Sequence, residues 1–244
     1  MESTGTDRMP ILAVQHLDFA YSEPSKILSD VSFSIEEGQK VAIAGPNGAG
    51  KTTLLLNLTG LLAGKGDITI KGMRLEKKNL SEIRRLTGMV FQSPDDQLFS
   101  NRVFDDVAYG LIYQGLGKEE IEERVQKALA DVDMDSFKNA VPYHLSLGQK
   151  KRVAIATVLS MQPEIILFDE PTMGLDARAK KQFLQIVQQF SQTVLVATHD
   201  MKLAAAICDR LLILDEGRLV FDGLMKDALH GPELLESHGL DLEM

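Results

Sequence analysis

The nine residues Gly45–Thr53 read GPNGAGKTT and follow directly on the apolar run Val41–Ala44. No other feature limits the possible folds as much as this junction. A short run of small and branched apolar residues that ends in glycine reads as a strand buried on both faces. The loop behind it matches G-x-x-x-x-G-K-[ST] at Gly45, Gly50, Lys51 and Thr52. Glycines let backbone N–H groups turn inward and let an anion come close. A helix beginning near Lys51 adds about half an elementary positive charge at the same place. Pro46, Asn47, Gly48, Ala49 and Thr53 complete the cradle. Lys51 would reach the β- and γ-phosphates, and the Thr52 hydroxyl would ligate Mg²⁺. Strand, loop and helix in this order predict an α/β core around a nucleoside triphosphate.

The remaining apolar patterns agree. Near the N-terminus, ILAVQHLDFAY, ILSDVSFSI and GDITIKG have strand-like spacing and short polar links, and predict a mostly antiparallel sheet. Later strands are different: KVAIAG, TGMVFQ, EIILFDE, TVLVATHD and RLLILDE are continuous apolar runs, as in a parallel sheet covered on both sides. Helical patterns interrupt the alternation over about 93–160. In one of them Ile121, Val125 and Leu129 fall four apart, with Ala128 and Val132 beside them, forming one apolar helix face. A second helix starts at LSLGQKKR with Ser146 as its N-cap. Residues 1–10 read as a disordered tail, 11–224 as the main domain, and 225–244 as a short extension with two helices divided by Gly-Pro.

A chain of 244 residues is large enough for a core without cross-links. Its single cysteine, Cys208, has no internal partner and reads as a small buried apolar residue. The formal charge of −9 argues against nucleic-acid binding that depends on neutralising phosphates. No apolar run approaches the roughly 20 residues that span a bilayer.

Two further motifs carry chemistry. EIILFDEP ends a buried strand in Asp169 and Glu170. Carboxylates there point to the carboxyl edge of the sheet, where α/β folds bind ligands. Asp169 suits the Mg²⁺ shell, and Glu170 suits a general base for the water that attacks the γ-phosphate. In LSLGQKKR, Ser146 and Gly148 make a second anion-receiving helix end. The chain thus has two phosphate-binding surfaces and one glycine-rich loop.

Taken in order, these motifs resemble the ATP-binding cassette (ABC) ATPases. The order is the loop at 45–52, Gln92 after a strand, LSLGQ at 145–149, Asp169-Glu170, GLD at 174–176, and His199 after VLVAT. VFQSPDDQLF and LGQKKRVAIA are closer still to the ATPases of cobalt/nickel and energy-coupling-factor vitamin importers. Leu147 departs from the family's usual glycine. The resemblance implies a mixed sheet core with an N-terminal antiparallel β-subdomain and an inserted helical subdomain. It implies that Tyr21 stacks on adenine, that Gln92 touches Mg²⁺ and the attacking water, and that His199 contacts the γ-phosphate. It also implies that Asp176 lies along a dimer interface, where it could equally cap a helix. Ser146, Gly148 and Gln149 would cover ATP bound to the loop of a second copy. The implied partners are a second copy or a related ATPase, together with integral-membrane subunits that dock near Gln92 and residues 93–115. Neither nucleic acid nor a covalent cofactor is expected, and the working place is the cytoplasmic face of a membrane. The competing expectation is a soluble ABC ATPase acting on macromolecules. It calls for long coiled-coil insertions or a second cassette, and the sequence has neither.

Overall fold

A computed structural model describes residues 9–22 and 24–240. The tail expected over 1–10 therefore lies outside the described residues except for Met9 and Pro10, and the last four residues of the extension do too.

Along the chain run β1 (Leu12–Phe19), β2 (Leu28–Ile35), β3 (Lys40–Ala44), α1 (Lys51–Leu58), β4 (Lys65–Ile70), β5 (Met73–Arg74), α2 (Leu80–Leu86) and β6 (Thr87–Val90). The helical insertion holds α3 (Val103–Tyr113), α4 (Lys118–Asp131) and α5 (Leu147–Leu159). Then come β7 (Ile165–Asp169), α6 (Ala177–Gln188), β8 (Thr193–Ala197), α7 (Met201–Ile207), β9 (Arg210–Asp215), β10 (Arg218–Leu224), α8 (Met225–His230) and α9 (Pro232–Ser237).

Two sheets result. One is antiparallel, in the order β2-β1-β4-β5. The other runs β10-β9-β3-β8-β7-β6, parallel throughout except for β10, which returns antiparallel to β9. The strand period of two divides the parallel sheet between two cores. Ala42, Ala44, Ile166, Phe168, Val194 and Val196 face the helical layer. Val41, Ile43, Ile165, Leu167, Leu195 and Ala197 face α1 and the antiparallel sheet, meeting Leu54, Leu55 and Leu58. Every residue of β6, β7 and β8 is buried, which is why these strands read as unbroken apolar runs. Phe168 anchors the helical side, edge-on to Phe183 at 5.4 Å.

α4 buries Val125, Ala128 and Leu129, as its spacing predicts, and Val132 follows them into the core. α5 opens on a capping box: Ser146 Oγ accepts from the Gln149 N–H at 3.3 Å, and Gln149 Oε1 accepts from the Ser146 N–H at 2.9 Å. Asp176 and Asp200 cap α6 and α7 with one side-chain bond each, accepting from the N–H groups of Ala179 and Leu203. α8 and α9 stand on either side of Gly231. Among the described residues no helix is long and apolar enough to cross a membrane.

Candidate functional site

The loop Gly45–Thr53 hangs from the carboxyl end of β3, the middle strand of the second sheet's β9-β3-β8 trio. Its shape requires glycine at two points. Gly45 has φ 153°, and a Cβ on it would lie 2.0 Å from the Leu214 carbonyl oxygen. Gly50 has φ 105°, and a Cβ there would press on Leu28 and the Ile27 carbonyl. α1 begins at Lys51 with no side chain bonded to its first N–H groups. Its positive end is thus left to an anion.

A cleft of about 730 Å³ opens over this loop. Tyr21, Lys51, Thr52, Gln92, Glu170 and His199 all line it. The sequence motifs from β3, β6, β7 and β8 therefore converge, because parallel strands bring their carboxyl ends to one edge. Lys51 is buried, and its Nζ donates to the carbonyls of Gly45 at 2.7 Å and Pro46 at 3.0 Å. Burial lowers its pKa, against the pull of the Glu170 and Asp169 charges. The Thr52 hydroxyl donates to Asp169 Oδ1 at 3.1 Å, joining two residues 117 apart in sequence. Asp169 is buried, and that burial raises its pKa; Glu170 adds to the rise, while Thr52, Lys51 and Lys151 oppose it.

Glu170 is the most constrained residue of the site. Its backbone is left-handed, with φ 41°, a conformation that costs a non-glycine residue about 1–3 kcal/mol. Its N–H donates to the Ala197 carbonyl at 2.8 Å. Its Oε1 accepts from the His199 N–H at 3.1 Å and from His199 Nδ1 at 2.9 Å, and its Oε2 accepts from the Thr198 hydroxyl at 3.2 Å. Lys51 Nζ lies 4.0 Å from Oε1. Lys151, from α5, reaches in from behind and donates to the carbonyls of Glu170 at 3.2 Å and Pro171 at 2.8 Å. Burial brings the Lys151 pKa down to about 8.

Tyr21 stands at the far end of the cleft. Read by itself it would be a core residue, yet the structure leaves 63% of it exposed. Its ring sits edge-on to Phe19 at 4.9 Å, and its hydroxyl is 3.4 Å from Thr53 Oγ1. Ser146, Gly148 and Gln149 are not brought to this cleft. They lie at the tip of α5, where Ser146 is exposed and a Cβ on Gly148 would be 3.2 Å from the Ala179 Cβ of α6. Leu147, beside them, is 40% exposed.

Sequence reasoning missed three participants. Met173 lines the cleft, and its Sδ accepts from Gln92 Nε2 at 2.8 Å. Thr198 and Lys151 hold Glu170. Their only signal was position, directly before His199 and directly after LSLGQK, and neither residue type announces that role.

Comparison with known proteins agrees with this geometry. The family model described as ABC transporter matches residues 28–173. The chain is 46% identical over 234 residues to a putative ABC transporter ATP-binding protein of Streptomyces avermitilis, covering 96% of this chain and 89% of that one. It is 46% identical over 231 residues to the energy-coupling factor transporter ATP-binding protein EcfA of Carboxydothermus hydrogenoformans, with 93% and 85% covered. Among solved structures, CbiO1 of Clostridium perfringens, part of the ABC transporter complex cbiONQ, superposes with a TM-score of 0.84 at 34% identity over 94% of both chains. A dimeric ATP-binding cassette in a post-hydrolysis state, bound to ADP and Pi, superposes with a TM-score of 0.79 at 29% identity, over 88% of this chain and 98% of that one. With family model, relatives and fold in agreement, the chain belongs to the ABC transporter family as an ATP-binding subunit that hydrolyses ATP.

Proposed function

We propose that the chain powers a membrane importer from its cytoplasmic face, working as a dimer that closes on ATP and opens after hydrolysis. The observation that carries this reading is the meeting of Thr52 with Asp169, and of Glu170 with His199, at one sheet edge beside the uncapped end of α1. In the ATP pose this supports, Tyr21 stacks on adenine, and Gly45–Thr53 wraps the phosphates with Lys51 against the β- and γ-groups. Water attacks the γ-phosphorus, its proton passes to Glu170, and the bond to the β-phosphate oxygen breaks to release ADP and phosphate. Thr198 and the His199 N–H fix the Glu170 carboxylate, and His199 reaches the γ-phosphate.

Mg²⁺ fits the donor set. Asp169 is a buried carboxylate that a hard cation would stabilise, and Thr52 already touches it. Thr52, Asp169 and Gln92 would hold the ion, which supplies charge neutralisation at the phosphates.

Ser146, Gly148 and Gln149 lie away from their own chain's cleft, and this supports their serving ATP on a second chain. All motifs are present in one sequence, which favours a homodimer over pairing with a related ATPase. For the membrane subunits we propose the groove of about 700 Å³ between α2 and α3, walled by Phe99, Tyr109, Tyr113 and Met161. Tyr113 is 85% exposed and Phe99 66%, so this is apolar surface suited to a short helix. The names of the EcfA relatives and the cbiONQ neighbour support an energy-coupling-factor type of importer; a cobalt or nickel ion or a vitamin as cargo rests on the resemblance of VFQSPDDQLF and LGQKKRVAIA.

Glu170→Gln tests the assignment of the base. It should leave ATP affinity unchanged and lower kcat by about 10²–10⁴ in the assembled transporter. Ordinary turnover in that variant would sink the assignment.

A further inference from the structure

The segment after β10 takes no part in the reading above, yet it packs against the support of the nucleotide loop. α8 and α9 fold back so that Leu235 and Leu240 are buried in one core with Leu211, Ile213 and Met225. His238, just past α9, donates from Nδ1 to Asp215 Oδ2 at 2.7 Å, and both side chains are mostly buried. Asp215 ends β9, and its neighbours hold the loop. The Leu214 carbonyl presses against Gly45, where even a methyl group would not fit. The Gly217 N–H donates to the Ala49 carbonyl at 3.2 Å. Gly239, with φ 65°, brings the tail to Pro46, so that a Cβ on it would lie 3.9 Å from the Pro46 Cβ.

The tail thus reaches the loop by two routes. One is the close approach of Gly239 to Pro46. The other passes from His238 through Asp215 to the turn that touches Gly45 and Ala49. We propose that the C-terminal segment Met225–Leu240 is a positioning element for the nucleotide loop, fastened by His238. It keeps Gly45–Gly50 in the phosphate-receiving shape before ATP arrives, so that binding need not spend affinity on ordering the loop. The proposal rests on the reading of Gly45–Thr53 as the ATP phosphate site.

The test uses the full chain, ATP titration by calorimetry, and hydrogen exchange of the loop amides. His238→Ala should raise the ATP dissociation constant about fivefold or more. It should also speed exchange at residues 45–50, while the β7 and β8 amides stay protected. His238→Gln can still donate to Asp215 and should recover most of the affinity. Asp215→Ala should match His238→Ala, and the double variant should be no worse than either single one, because both remove one bond. Unchanged affinity and loop exchange in His238→Ala would overturn the proposal. So would exchange that rises equally through the whole core, which marks general destabilisation, or a His238→Gln protein as weak as the alanine variant. Lys51→Ala serves as the separate control. It should lose ATP binding with the tail intact, and wild-type affinity in that variant would remove the phosphate-site reading itself and this proposal with it.

Discussion

Lys151 illustrates what a single residue can cost and supply. An ammonium group is buried here to hold two carbonyls in place behind the Glu170 carboxylate. Its folded pKa of about 8 lies below the ordinary 10.5, so between those values the unfolded chain binds more protons than the folded one. Stability from this residue therefore grows as pH rises from about 8 to 10.5. Cys208, whose thiol burial pushes up to about 12, changes stability the opposite way above pH 9, but equally in any pair of proteins that share it. The stability difference between wild type and Lys151→Met, from urea unfolding at pH 8 and pH 10, should thus move in favour of wild type at the higher pH. A difference independent of pH would contradict the buried charge. None of this could be read from the letters, because a lysine after LSLGQ looks like solvated surface. Asp169 and Glu170 stood out in the sequence only because a glycine-rich phosphate loop lies upstream, since an acidic pair ending a strand by itself reads as the start of a loop.

Among the elements, those with a start signal or a full period were readable. α5 had Ser146 as its N-cap, α6 had Asp176, and α4 had four-residue spacing. α2 was missed because it buries Ile83 alone and so presents no stripe. β10 was missed because its residues alternate between exposed and half-buried, as an edge strand's do, and β5 is two residues long. The cap of α5 gives an element-scale prediction. Ser146→Ala removes an acceptor from the first turn and should lower stability by about 1 kcal/mol, seen as an earlier urea midpoint at an unchanged slope. Because the same residue is proposed to meet nucleotide on a second copy, the variant should also lose ATPase activity under conditions where it remains fully folded. Full activity would separate the cap from the chemistry.

At the scale of the whole molecule, the parallel sheet sends the ends of β3, β6, β7 and β8 to one cleft, while the tip of α5 faces elsewhere. In the reading proposed above, a lone chain would offer ATP one wall of a two-walled site. Glu170→Gln with ATP should form a dimer measurable by light scattering, Lys51→Ala with ATP should remain a monomer, and a Glu170→Gln protein that stays monomeric with ATP saturating would refute the shared site. The fold class was visible from the apolar runs, since a sheet covered on both faces admits few alternatives. The separation of the two phosphate-binding surfaces came only with the family resemblance, because strand and helix periods do not say which way the tip of α5 faces. About a turn and a half along α5 from the exposed Ser146 tip, Lys151 donates to the backbone of Glu170, just past the end of β7. In the shared-site reading proposed above, nucleotide presented to the tip by a second copy would bear on the Glu170 backbone behind it. Two such copies would run like meshed gears, each stroke timed by what the other is holding.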